Sequence, residues 1–415
     1  MAIRRKSAVP RSFPRRLAHG VDTPFFAPVK IIILHQHFRT PEQGGAIRSW
    51  YLARALTDRG IEVVVITGHN DSCYRRQNLE GIDVHCLPVA YDNRFDFYRR
   101  VYAFLRFAWK ALRIIRQHRD ARVCYAISTP LTTGLAASWA KYRHGIPYVF
   151  EVGDLWPDAP EQMGFLRNPL LRTVARWLER HIYKRASRIV ALSEPIRETV
   201  SKRAPGVEVR VIPNMADTDF YRPYVRASDA TEVLVVYIGA VGMANGLEYF
   251  VDAARACQEG KIPARFVLCG DGGRLEALRR YAEESKVENL TFAGFRNRME
   301  VRDLLQKADV NFICYAHYPV LETGSPNKYF DGLAAGKLTV VNFGGWIREE
   351  LERHACGFYV DPLNPVELAG KLLPFTQDSV RLQQFQQAAR ALAEEKYTRK
   401  MLSEKFFDVF TPWLA

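Results

Sequence analysis

Short apolar runs recur along this chain, and each is followed by a longer stretch with helical periodicity. The first run is Val29-Lys30-Ile31-Ile32-Ile33-Leu34. So short and so apolar a run suits a strand covered on both faces, as in a parallel sheet. Residues 46–59 then read as a helix ended by Gly60, and 62–67 as the next strand, which makes one βαβ unit. Further strands are expected at 84–89, 123–128, 148–151, 188–192 and 210–214. Residues 217–229 contain Pro223, lack periodicity and read as a connection. A second series follows, with strands at 233–239, 265–269, 290–293, 310–313 and 338–342. Alternation on both sides of a connection predicts an α/β chain with two doubly wound sheets. In such folds ligands sit at the carboxyl ends of the strands, here in the cleft between the halves.

Length and composition agree. The chain has 415 residues, enough for two or three domains, and is 48% hydrophobic and 25% charged. Its formal net charge of +14 implies an anionic partner, whether nucleic acid, membrane or phosphate-bearing substrate. The seven cysteines include no C-x-x-C pair, and several fall in apolar runs. They read as reduced core thiols, with no disulfide frame and no cysteine zinc site. Residues 1–27 carry Arg4, Arg5, Lys6, Arg11, Arg15 and Arg16, with no acid before Asp22 and no apolar core behind them. They read as a disordered basic tail or a weak membrane-surface anchor, not a secretory signal. The uncharged stretch 123–140 is long enough to span a membrane, but Ser128, Thr129, Pro130, Thr132, Thr133 and Ser138 mark it as strand, loop and helix.

The stretch from Glu322 to Lys337 carries the most chemical information. Gly324 allows a tight loop, and Ser325-Pro326 looks like an N-cap followed by proline at the first helical position. The helix start would offer free N–H groups and a positive dipole to an anion. Lys328 and Asp331 share one face, a cation for phosphate beside a carboxylate for sugar or ribose hydroxyls. An ordinary capped helix with surface charges fits the same spacing.

This stretch resembles the donor-binding motif of the retaining GT-B glycosyltransferases of family 4. Other segments resemble that family in the same order. Gly44-Gly45-Ala46-Ile47-Arg48 is similar to the diglycine loop, and Val211-Ile212-Pro213-Asn214 with Asp217 and Phe220 to the domain junction. Tyr237-Ile238-Gly239, with Gly242 and Gly246, is similar to the opening of the donor domain; Leu268-Cys269-Gly270-Asp271-Gly272 and Phe292-Ala293-Gly294 match its middle. The resemblance implies a GT-B fold with an acceptor-side domain at 28–214, a donor domain at 215–397, and a final helix at 398–415 that crosses back to the first domain. It also implies that Asp331 binds the nucleotide ribose and Glu322 faces the donor sugar. Gly44, Gly45, Gly239, Gly242, Gly270, Gly294, Gly324, Ser325 and Lys328 would complete the donor site. The two acids stand nine apart instead of the family's usual eight, with Thr323 at the strict spacing. Ala240 and Asn245 stand where many members carry an arginine and a lysine near the diphosphate. Lys328, with backbone amides around Gly242 and Gly324, would then neutralise the leaving group.

Glu151-Val-Gly-Asp-Leu-Trp-Pro-Asp158 follows a strand end and so should face the cleft. It resembles the Asp-Leu-Trp-Pro motif of a bacterial surface-polysaccharide branch that includes fucosamine transferases. Asp154 would touch the acceptor hydroxyl or donor sugar; a plain N-cap and turn with Trp156 packed on the fold is the other reading. His35 and His37 follow the first strand and read as structural or solvated. The chain carries no G-x-x-x-x-G-K-[ST] loop and no D-x-D-like pair at a donor-site strand end, so neither ATP hydrolysis nor a metal is expected.

Residues 94–122 hold nine Arg/Lys and two Asp, with Phe97, Val101, Phe104, Leu105, Ala108, Leu112 and Ile115 at helical spacing for packing on the core. Tyr98, Tyr102 and Trp109 lie beside Arg99, Arg106 and Arg113, as suits an anionic lipid surface. A second basic helical region spans 166–203. The function expected is transfer, with retention, from a nucleotide-sugar such as a UDP-sugar to a polyprenyl-linked or glycan acceptor. It would serve polysaccharide or lipopolysaccharide synthesis on the cytoplasmic face of a membrane, peripherally bound and without cofactor. A nucleotide-sugar epimerase shares the architecture. The departures at Ala240 and Asn245 also fit a weakened homologue. A nucleic-acid binder would use the same charge, but the chain shows no nucleic-acid motif.

Overall fold

The computed structural model describes residues 29–45, 47–92, 95–224 and 232–414. The basic segment 1–27, Ala46, Arg94 and part of the connection at 217–229 lie outside them. The chain forms two sheets. The first holds β1 (Lys30–Leu34), β2 (Glu62–His69), β3 (Arg75–Leu79), β4 (Ile82–Pro88), β5 (Val123–Ile127), β6 (Tyr148–Val152), β7 (Arg188–Ala191) and β8 (Val209–Val211), in the order β3-β4-β2-β1-β5-β6-β7-β8. Its helices are α1 (Arg48–Thr57), α2 (Phe97–Gln117), α3 (Thr132–His144), α4 (Asp158–Gln162), α5 (Pro169–Arg185) and α6 (Glu194–Arg203). The second sheet holds β9 (Val233–Ile238), β10 (Ala264–Cys269), β11 (Leu290–Gly294), β12 (Val310–Ile313), β13 (Leu338–Val341) and β14 (Gly357–Tyr359), in the order β11-β10-β9-β12-β13-β14. Around it lie α7 (Glu248–Glu259), α8 (Leu275–Glu284), α9 (Arg298–Lys307), α10 (Asn327–Ala334), α11 (Trp346–Arg353), α12 (Glu367–Gln377), α13 (Ser379–Lys396) and α14 (Arg399–Leu414). This is the GT-B arrangement of two Rossmann-like domains.

The strand order reverses beside β1 and β5 in the first sheet and beside β9 and β12 in the second. Crevices open outside the carboxyl ends at such switch points. The loops after β1, β9 and β12 therefore face one another across the domain boundary.

Several elements depart from the sequence expectation. The first sheet is not wholly parallel, because β3 pairs antiparallel with β4. Its residues Arg75-Arg76-Gln77-Asn78-Leu79 carry no apolar signal, since an edge strand can face water. The hairpin turns through Glu80 and Gly81, both at positive φ (48° and 88°), as two-residue turns of this hand require. The short strand β14 also lacked a pattern. Ser325 does not cap α10, which starts at Asn327. Instead the Ser325 backbone carbonyl accepts from Asn214 Nδ2, tying the helix start to the connection. Leu105 is exposed on α2, whereas Phe104, Phe107, Ala111 and Ile115 make its buried stripe. Six of the seven cysteines are buried, and Cys73 is exposed.

Helix α14 lies against the first domain. Phe406 and Phe410 meet Tyr125 of β5 edge to face, with ring centres 4.9 and 5.7 Å apart. Burial of such a ring contributes roughly 1.5–3 kcal/mol. Arg188 of β7 donates to the Val409 carbonyl at 2.6 Å.

Arg48, at the start of α1, is nearly buried. Its Nη2 lies 3.0 Å from Glu151 Oε2 at the end of β6, and the two side chains are 8% and 3% exposed. The same guanidinium donates to the carbonyls of Ile212 and Pro213, where the first domain hands over to the connection. Arg48→Met would leave the buried Glu151 without its cation, held by the Tyr125 hydroxyl. We expect a loss of about 3–5 kcal/mol in the first unfolding transition, followed by denaturant titration, and recovery of most of it in the Arg48→Met/Glu151→Leu double variant.

Candidate functional site

Two cavities open in the cleft and share Arg39, Ala240 and Asp271 in their walls. The first, of about 660 Å³, lies against the second domain and includes Gly44, Gly45, Gly239, Gly270, Lys328 and Asp331 in its lining. The second, of about 980 Å³, lies against the first domain and includes His37, Tyr91, Phe104, Asp154, Trp156 and Phe165.

Lys328 and Asp331 come from successive turns of α10. Lys328 Nζ meets Tyr237 Oη at 2.8 Å and lies 4.1 Å from the centre of that ring. Among the described residues it has no carboxylate within ion-pair distance. Its confinement strips water from the ammonium and lowers its pKa to about 8. Asp331 is half-buried at the cavity wall. Desolvation first, then the nearby charge of Asp217, raises its carboxyl to about 7, against a smaller opposing effect of Arg298. Both groups thus sit near a change of charge at neutral pH, as is common in sites built for chemistry.

The glycines divide into two kinds. Gly239 and Gly270 both line the first cavity, but Gly270 is needed by the backbone itself. It has φ of +157°, and a Cβ there would lie 1.8 Å from the Gly239 carbonyl oxygen. A Cβ at Gly272 would lie 2.3 Å from the Val241 oxygen. The loops after β9 and β10 therefore pack main chain on main chain. Gly242, Gly294, Gly324 and Ser325 line neither cavity. The amides of Gly242 and Gly324 are already engaged, the first by Asn245 Oδ1 at 3.3 Å and the second by the Leu321 carbonyl at 3.2 Å. Those two amides are thus satisfied within the chain and are not themselves free to assist Lys328. The first contact also explains Asn245, which closes the turn at Gly242.

Glu322 lies in a short 3-10 segment, Pro319–Thr323. It lines neither cavity. Its carboxylate rests against the Gly344-Gly345 turn, where a Cβ on Gly344 would come within 3.2 Å of Oε2. The segment leans on the first domain, since Val320 N donates to Gln162 Oε1 at 3.0 Å and Ser193 Oγ to the Thr323 carbonyl at 2.5 Å.

Asp154 is exposed on the wall of the second cavity, and desolvation within the cleft raises its carboxyl above the usual range. Trp156 lines the same cavity. The loop is held from behind by Arg203, which grips Asp158 at 2.6 and 2.9 Å and the buried Glu179 at 2.6 Å. His37 also lines this cavity, whereas His35 is buried on Ser49 at 2.8 Å. Burial lowers the two imidazoles to about 4 and about 3, so both are neutral at pH 7.

Sequence reasoning passed over Arg39, Tyr51, Arg298 and Arg399, all in the wall of the first cavity. Asp217 accepts from Arg298 at 2.8 Å and from Tyr51 at 3.1 Å, and pairs with Arg399 at 3.2 Å. The signal for Arg298 was present. Asn297 and Glu300 form a capping box that starts α9 at Arg298. Arg274 is outside both cavities and paired with Glu248 at 2.6 Å.

Comparison with known proteins fits this geometry. A family described as glycosyl transferase 4-like domain matches residues 43–215, and one described as glycosyl transferases group 1 matches residues 232–378. The chain is 23% identical over 288 residues to Probable glycosyltransferase WbjE of Pseudomonas aeruginosa, a span of 66% of this chain and 70% of that protein. Among solved structures, sucrose-phosphate synthase of Thermosynechococcus elongatus superposes with a TM-score of 0.72 at 14% identity, over 92% of this chain and 98% of that one. HepE of Anabaena, in complex with UDP and glucose, gives 0.68 at 18% identity, over 92% and 99%.

The close backbone packing supplies a test. Gly270→Ala should unfold the second domain at markedly lower temperature, because the clashing atom is a carbonyl that cannot swing away. Gly273 has nothing within 4 Å of an added Cβ. Gly273→Ala should therefore stay within about 0.5 kcal/mol of wild type. Thermal unfolding of the two variants checks both.

Proposed function

This chain belongs to the group 1 glycosyltransferases of family 4, retaining and nucleotide-sugar-dependent enzymes, and from that membership we propose that it transfers a sugar from a UDP-sugar to a lipid-linked or glycan acceptor in surface-polysaccharide synthesis. The observation that carries the reading is the pair of joined cavities. One is lined by the unpaired Lys328 beside Asp331, and the other by aromatic rings and Asp154. A UDP-sugar in the first would place its ribose at Asp331 and its diphosphate between Lys328 and Arg39. The sugar would then lie where the cavities meet, near Arg39, Ala240 and Asp271, and toward the acceptor. Asp154 would hold the acceptor hydroxyl. The UDP found in HepE supports this choice of nucleotide. Catalysis is then mainly positioning and charge stabilisation, since negative charge grows on the diphosphate as the glycosidic bond breaks.

The outer surface supports a membrane-bound acceptor. On α2, Tyr98 is 76%, Tyr102 64% and Trp109 72% exposed. On α5, Leu170, Val174 and Trp177 are exposed as well. Arg100 of α2 stacks on Phe165, just ahead of α5, with 5.7 Å between guanidinium carbon and ring centre, at the rim of the second cavity. Rings and leucines among arginines suit an anionic interface. Among the described residues no helix is long and apolar enough to cross a membrane.

Two outcomes follow. Affinity for UDP-glucose, whose phosphates do not titrate near neutrality, should rise as Asp331 ionises through about pH 7 and fall as Lys328 loses its proton above about pH 8. Calorimetry should show Asp331→Asn losing the acid limb and Lys328→Met the alkaline limb. Lys328→Met should also lower kcat by about 10²–10³ at unchanged Tm; full activity would place the diphosphate elsewhere. Separately, the protein should float with anionic liposomes at low salt and detach at high salt. Arg99, Arg106 and Arg113 changed together to Glu should abolish flotation, and equal flotation of this variant would leave α2 as a plain solvated face.

A further inference from the structure

Far from the cleft, three potential ligand atoms converge where the β3–β4 hairpin meets the end of α2. His85 projects from β4, His118 is the residue that ends α2, and Asp83 lies two residues before His85 on the same strand. Their ligand atoms all fall within 4.8 Å of one another. His118 Nε2 is 3.3 Å from His85 Nε2, and Asp83 Oδ2 is 3.3 Å from the same His85 nitrogen. Two imidazole nitrogens bound tetrahedrally to zinc at about 2.0–2.1 Å stand roughly 3.3–3.4 Å apart. The observed spacing is that of a shared metal as well as of a hydrogen bond.

We propose that Asp83, His85 and His118 form a divalent metal site, with zinc the best-fitting ion, that staples the β3–β4 hairpin to the end of α2. Three features favour it. The His85 and His118 side chains are buried, so they present fixed nitrogens, whereas Asp83 leaves a path to solvent. Each ligand of the strand has an orienting partner behind it. Tyr74 Oη lies 2.7 Å from His85 Nδ1, so that Nδ1–H can donate to it and leave the Nε2 lone pair free. Arg76 donates to both oxygens of Asp83 at 2.9 and 2.8 Å. Such outer partners fix the tautomer and aim of metal ligands. Two imidazoles and a carboxylate are also a donor set that zinc accepts, with a fourth position for water.

The site is structural. Lys30, at the start of β1, pairs with Asp120 two residues beyond His118 at 2.6 Å. That places the cluster at the amino ends of the strands, opposite the cleft. Its effect falls on α2, whose other end borders the second cavity and whose outer face carries Tyr98, Tyr102 and Trp109.

The test uses the tag-free full chain, equilibrated with zinc and passed over a desalting column. Elemental analysis should find about one zinc per chain, and zinc should raise Tm relative to chelator-treated protein. Asp83→Asn and His118→Ala should lose both. Tyr74→Phe, which removes one half-exposed oxygen and should fold normally, should bind zinc roughly 10–100-fold more weakly. Cobalt in place of zinc should give the strong visible bands of a four-coordinate ion. Wild type that retains no zinc, or variants that retain it equally, would overturn the site, and the contact would then be a hydrogen bond between the two rings. If His118→Ala fails to fold, unchanged zinc affinity in Tyr74→Phe and Asp83→Asn overturns it equally.

Discussion

One carboxylate fixes how the two halves meet. Asp217 belongs to the connection and is buried. It receives Tyr51 from the first domain, Arg298 from the second, and Arg399 from the helix that crosses back. The two cations offset the cost of burying the acid, and moving either arginine away would strip it of half that compensation. Arg390 of α13 reinforces the arrangement by donating to the carbonyls of Thr218 and Tyr221 in the connection and of Ala334 at the end of α10. The helix that carries Lys328 and Asp331 is thus referenced to the same hub. Burial raises the Asp331 carboxyl first, and the charge of Asp217 in this hub adds to that rise.

The first cavity holds a lysine without an acidic partner among the described residues. Ala240 and Asn245 bring no cation, and Asn245 is occupied in closing its own turn. Among the described residues Lys328 has no carboxylate partner, and the rings of Tyr237 and Tyr315 lie beside it instead. A cation held this way loses hydration, so it would gain more from an incoming phosphate than a lysine already paired to an acid. The Gly239 and Gly270 loops beneath it meet backbone on backbone, since a Cβ on Gly270 would lie 1.8 Å from the Gly239 carbonyl oxygen.

The second cavity is shaped from the opposite direction. Asp154, one of its polar lining residues, hangs on a loop held at Asp158 by Arg203, which also pairs with the buried Glu179, while its rim runs into the exposed aromatic and basic surface of α2 and α5. The wall that would hold an acceptor and the surface that would meet a membrane are therefore two sides of the same helix. A constraint at the far end of α2, such as the histidine pair at His85 and His118, bears on both.

The alternation of apolar runs with helical stretches determined two doubly wound halves, because buried parallel strands and their covering helices must be written in apolar residues. The ordered glycine and acidic motifs then pointed to the family. Tertiary structure alone decided the rest. The edge strand β3 was invisible because a water-facing strand needs no apolar code, and the roles of Arg48, Arg298 and Arg399 because their partners lie far away in the chain. Glu322 and Ser325 stand in the right motif, yet where they point was set by Gly344-Gly345 and by Asn214, contacts that no local spacing encodes. Likewise Asp83, His85 and His118 show no ligand signature in sequence, since a helix end and a hairpin meet only after the sheet has formed.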